Sequence, residues 1–126
     1  MIPKYRVWLP DPDVEKMLKV KALVFEDDKT RCVCGYAYDF YLEDEDATIM
    51  QSTGLKDKNN KEIFEGDIVK MAKDVYSDLT YYEIVRHRGG AYRLESNQHG
   101  CELWLRHTNC EVIGNIYENQ ELLEVE

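Results

Sequence analysis

The sequence predicts a mainly β protein of antiparallel strands with at most short helices. Three observations lead there. Short runs rich in Val, Ile, Tyr, Phe and Cys recur along the chain, separated by turn residues. No stretch keeps the apolar period of a helix over about eleven residues or more. The links between runs are too short for βαβ crossovers, which leaves antiparallel pairing. A chain of 126 residues fits one domain or two very small subdomains. It should bury roughly two-thirds of its unfolded surface, so neither metal nor disulfide is needed to fold it.

Taken in order, residues 3–9 place Tyr5, Val7 and Leu9 at period two, as a strand does. Asp11-Pro12-Asp13 reads as a turn or as the cap of a short helix. Residues 17–25 alternate and then become continuously apolar, which predicts a strand entering a core. Residues 32–42 read as another strand, with Gly35 a candidate bulge. Residues 48–55 lead to a tight turn at Asn59-Asn60, because Asn tolerates positive φ better than most residues. Glu65-Gly66-Asp67 makes a second turn, and a strand over 68–71 leaves it. A Gly-Asp step of this kind is common where a strand of a small β-barrel begins. Residues 81–86 and 91–94 form a hairpin across His87-Arg88-Gly89-Gly90, where the glycines supply positive φ. Residues 101–105 alternate, placing Cys101, Leu103 and Leu105 on one face. Residues 110–117 are a last strand with Gly114 inside it, marking a bulge or a close crossing. Asn119 to Glu124 fits one helical turn capped by Asn119.

The net charge is −9 and it is uneven. Residues 1–50 carry 7 basic and 11 acidic side chains, residues 51–100 carry 8 and 8, and residues 101–126 carry 1 and 6. Three acidic clusters dominate, at Glu26-Asp27-Asp28, at Glu43-Asp44-Glu45-Asp46, and in the tail at Glu118, Glu121, Glu124 and Glu126. They read as solvated loops, with a docking face for a basic partner as the sharper alternative. The acidity argues against binding phosphates or anionic membranes over the whole surface. No apolar run approaches the ~18 residues of a membrane span, and the N-terminus lacks a secretory apolar region. A cytoplasmic location follows as the expectation.

Candidate chemistry is sparse. The motifs of nucleophile elbows, P-loops and zincins are missing, so no catalytic residue is assigned and the protein is expected not to be an enzyme. Cys32, Cys34, His99 and Cys101 raise the question of a metal, and His107 and Cys110 extend that set. Cys32-x-Cys34 is too tight for a zinc knuckle, and cysteines in strands are usually small buried hydrophobes, so no metal or cofactor is assigned. Arg86, Arg88 and Arg93, with Tyr92 between them, form the one basic and aromatic hairpin. Small β-barrels contact single-stranded nucleic acid with such hairpins, but the favoured reading is a solvated hairpin whose arginines pair with the protein's own acids, because phosphate binding needs several net positive contacts. Nine tyrosines, among them Tyr36, Tyr38, Tyr41, Tyr81 and Tyr82 in predicted strands, suggest self-association, since aromatics are enriched in interface cores, although tyrosines partly buried in a thin β-core explain the count equally well.

Three segments, IPKYRVW at 2–8, MQSTGLKDKNNKEIFEGDIV at 50–69 and CEVIGNIYENQELL at 110–123, together resemble the YopX family of small proteins encoded by bacteriophages and prophages. Asn60 stands where that family often has Gly, and Gln120 where it often has Pro. The resemblance covers nearly the whole chain. It implies one domain over 1–126 with two intertwined β subdomains, about 1–47 and 48–126, the second resembling a small barrel, and assembly into oligomers. It implies no established activity, catalytic residue or cofactor. Within such a fold Thr53, Gly54, Leu55, Gly66, Asp67, Gly114 and Asn115 read as architecture. The expected role is an oligomeric protein-binding or scaffold module with a phage or host protein as partner. Single-strand binding through the Arg86–Arg93 hairpin is the alternative.

Overall fold

The computed structural model describes residues 4–10, 16–35, 38–72, 78–87, 90–96 and 100–124. The protein is mostly β, its sheets are antiparallel, and one of them curls like half a barrel. The chain divides into two compact units, Met1–Gln51 and Ser52–Glu126. The predicted turn at Asp11-Pro12-Asp13 and the strand position of Tyr36 lie outside the described residues.

The first unit holds β1 (Tyr5–Leu9), β2 (Lys16–Lys19), β3 (Ala22–Phe25), β4 (Thr30–Gly35), β5 (Tyr38–Tyr41), the single-turn helix α1 (Leu42–Glu45) and the start of β6 (Thr48–Lys56). β1 lies between β2 and β6, with Val7 opposite both Leu18 and Ile49. Its period-two reading holds, for Val7 and Leu9 are buried. The run 17–25 is two strands, where one was expected. The Val20 N–H donates to Tyr5 O at 3.1 Å and the Lys21 N–H to Val33 O at 2.7 Å. The chain therefore changes sheets between these residues, and their amides find partners on different strands. The run 32–42 likewise divides, with β4 central between β3 and β5. The register slips between Val33 and Gly35, so the bulge expected near Gly35 is present.

The cluster Glu43 to Asp46 is a helical turn and its exit, where a loop was expected. Asp46 leaves it at φ 54°. Its acids meet the strand ends. Lys29 Nζ donates to Asp44 at 2.9 Å, and the Thr30 N–H to Glu43 Oε1 at 2.9 Å.

The second unit holds the end of β6, β7 (Glu62–Phe64), β8 (Asp67–Ala72), β9 (Leu79–Arg86), β10 (Tyr92–Glu95), β11 (Gly100–Glu102), α2 (Leu103–Arg106), a 3-10 turn (His107–Asn109), β12 (Glu111–Asn115) and α3 (Glu121–Glu124). Five strands form one sheet in the order β11-β10-β9-β8-β12. Its inner face follows from period two and register. Val69 faces Tyr82 and Val112, and Ile84 faces Leu94. These side chains form the core with Ile63, Met71, Leu103 and Cys110.

The alternation expected over 101–105 ends at Glu102. β10 begins at Tyr92, so β11 has little ladder left beyond its Arg93–Glu102 pair. Leu103 turns into the core while Trp104 and Leu105 stay exposed on α2. The tail forms a helical turn as expected, but the Asn119 side chain does not cap it. Asn119 Oδ1 accepts from the Asn115 N–H at 3.2 Å, and the Asn119 carbonyl accepts from the Leu122 N–H. No helix among the described residues is long and apolar enough to cross a membrane.

Candidate functional site

The region over 52–67 builds a hairpin anchored to β12. β6 and β7 pair with a slip between Ser52 and Lys56, and Gly54 takes φ 81° within it. Hydroxyls satisfy the backbone there. Ser52 Oγ accepts from the Gly54 N–H and donates to Glu62, while Thr53 Oγ1 accepts from the Leu55 N–H and donates to Ile63 O at 2.8 Å. Leu55 packs against the core. The turn is where the two asparagines place it, with Asn60 at φ 66°.

Asp57 ties this turn to the sheet, and sequence reading saw it only as a turn residue. It is 4% exposed. Its Oδ1 accepts from the Asn59 and Lys61 N–H groups at 2.9 Å each, and its Oδ2 from the Val112 N–H at 2.8 Å. Burial acts to raise its pKa, yet the three backbone donors together hold it below the usual carboxylate value. An Asp opening a turn is the signal for the two local bonds. Nothing local points to Val112, 55 residues away.

Gly66 is the second node. It sits buried at φ 87°, a conformation that costs a side chain dearly. Its N–H donates to Ile84 O, and its carbonyl accepts from the Ile116 N–H, both at 2.9 Å. Asp67 Oδ2 accepts from the Phe64 N–H at 2.8 Å, the local bond its position in the turn predicts. Gly114 follows the bulge in β12. A Cβ there would lie 2.6 Å from Asn119 Cγ, so the site also brings a side chain close. Asn115 is buried, and its Oδ1 accepts from the Tyr117 and Glu118 N–H groups. These seven positions close turns, bridge backbone groups or pack against the core.

The strands of the basic hairpin pair as expected. Tyr92 pairs with Arg86, and the His87 N–H donates to Ala91 O at 2.7 Å. Gly90 has φ 90°. Arg88 lies outside the described residues. Arg86 is exposed, while Tyr92 packs against the core. Arg93 donates to Glu95 at 2.9 Å and to Glu102 at 2.6 Å. The hairpin therefore presents a guanidinium already held by two carboxylates.

The cysteines divide between the units. Cys32 and Cys34 share β4 and their sulfurs are 3.7 Å apart. Cys101 is in β11, and His99 lies outside the described residues. Burial, then the Cys34 contact, pushes the Cys32 thiol up to about 12. Burial also raises Cys34, against a lowering hydrogen bond from Cys32. Among the described residues no three of His, Cys, Asp or Glu gather as metal ligands.

Among the described residues of the second unit, the large exposed apolar side chains are Trp104 at 65%, Leu79 at 61% and Leu105 at 58%. Sequence reading did not single out Trp104, because the alternation over 101–105 suggested an ordinary strand.

Comparison with known proteins agrees over the full length. The solved structure of protein EF1440 from Enterococcus faecalis is 28% identical, covers 98% of this chain and 99% of its own, and superposes with a TM-score of 0.65. The solved structure of protein yopX from Bacillus subtilis shares the fold at 23% identity, with 95% and 97% covered and a TM-score of 0.67. No functionally curated protein matches the chain. The family model described as YopX protein matches residues 4–124, and the chain belongs to the YopX family.

Proposed function

We propose that this protein works by binding protein, as an oligomeric scaffold that carries out no chemistry of its own. The observation behind this reading is the exposed pair Trp104 and Leu105 on α2. Large exposed apolar side chains next to one another favour a protein interface. The occupant we assign is a second copy of the chain. α2 directly follows β11, which is the edge strand of its sheet among the described residues, and a sheet edge can meet the same edge of another copy across a two-fold axis. In the phage or prophage setting that the family resemblance implies, a phage or host protein is the further partner. The two carboxylates on Arg93 weigh against the nucleic-acid alternative, because they already neutralise part of the basic hairpin.

Light scattering at micromolar concentration tests this. The expected result is a dimer or larger species that strengthens with salt, since copies carrying −9 each repel one another. Trp104→Ala with Leu105→Ser should shift it to monomer. A wild-type protein that stays monomeric at all salt concentrations overturns the reading. Retention of single-stranded DNA at low salt, lost in Arg86→Ala with Arg93→Ala, would favour the alternative.

A further inference from the structure

The cysteine pair of β4 carries an inference independent of assembly. Cys32 is fixed on both sides, opposite Leu23 on β3 and Phe40 on β5. Cys34 is placed differently. Its strand's register with β3 ends at Val33. On the β5 side, Val33 pairs with Asp39 and Gly35 with Tyr38, leaving Cys34 as the extra residue of the bulge. One thiol is therefore buried and held, and the other is half-buried at a place where the backbone is not tied by register. The sulfurs lie 3.7 Å apart. A disulfide needs about 2.05 Å between them, with the Cα atoms within about 6.8 Å. Alternate residues of an extended strand sit near that limit, and a bulge shortens the span. Closure therefore asks movement of Cys34, while Cys32 can stay where it is.

We propose that Cys32 and Cys34 form a peroxide-oxidisable dithiol, with Cys34 the thiol oxidised first and Cys32 the one that resolves it. In the first step Cys34 attacks a hydroperoxide. The O–O bond breaks, an S–O bond forms, the sulfur loses two electrons and the thiol proton leaves with the alcohol or water released. In the second step the Cys32 sulfur displaces the hydroxyl of the sulfenic acid, forming the disulfide and one water. The peroxide is the two-electron oxidant of the whole sequence. Because thiolate is the nucleophile, and burial raises both thiols, the rate should rise with pH through the alkaline range.

The test exposes the reduced full-length protein to graded hydrogen peroxide, then unfolds and alkylates it. The expected product is lighter by about 2 Da before alkylation, with both Cys32 and Cys34 blocked and Cys101 and Cys110 still alkylated. Cys34→Ser should abolish the mass loss. Cys32→Ala keeps an apolar residue in the buried position and should leave Cys34 as a sulfenic acid trapped by dimedone. Oxidation of wild-type Cys34 to a sulfinic acid, about 32 Da heavier with Cys32 still reduced, overturns the proposal. So does a wild-type mass that peroxide does not change.

Discussion

Asp57 offers the sharpest test of how this fold is held. Asp57→Ala removes the two carboxylate oxygens that accept three backbone hydrogen bonds. The Asn59 and Lys61 N–H groups are at an exposed turn, so water replaces much of what they lose, at about 0.5–1 kcal/mol each. The Val112 N–H is buried and is left without its carboxylate, which costs roughly 1–3 kcal/mol. Together these predict a loss of about 2–5 kcal/mol, or a fall in Tm of roughly 8–20 °C for a chain of this size. Urea unfolding followed by circular dichroism measures the loss, and hydrogen exchange at the Val112 amide localises it. The pH dependence has a definite sign. Asp57 has a folded pKa below its unfolded value, so its contribution is fully present above the unfolded value near ~3.9 and is lost as pH falls through the folded one. The gap between wild type and Asp57→Asn should therefore close in acid. An Asp57→Ala protein within about 0.5 kcal/mol of wild type, or a gap unchanged at low pH, would refute the reasoning.

Gly66→Val should destabilise the protein by roughly 2–4 kcal/mol, from the positive φ and from a branched side chain at a buried site; an unchanged thermal midpoint would contradict this. Gly114→Ala should cost about 1–3 kcal/mol by displacing the Asn119 side chain, and much less in an Asn119→Ala background, which a double-mutant cycle measures. Glu83 has its pKa raised by burial, so its charged form is disfavoured. Glu83→Gln should stabilise the protein at neutral pH, and chemical denaturation should show that gain shrinking as pH falls below the raised value.

Local chemistry was legible wherever neighbours in sequence decide the outcome. Period two in β1 marked the strand and its buried face. Asn60, Gly66 and Gly90 marked turns, and all three have positive φ. Val20 and Lys21 look like the middle of one strand, because nothing in the run 17–25 says that their amides find different strands. Leu103 and Trp104 fit a strand or a helical turn equally well by pattern, and the short β10 ladder chose the turn.

By itself, then, the sequence determined a β-rich chain with its turns in place, acidic at both ends, and recognisable as a YopX relative from the motif over 50–69. Tertiary structure alone decided that Asp57 holds Val112, that Glu95 and Glu102 hold Arg93, that Trp104 is exposed, and that Cys34 is the bulge beside Cys32. The reason is one of range. Backbone preference and apolar period act over a few residues, whereas register and burial depend on which distant strands pair and which faces they cover.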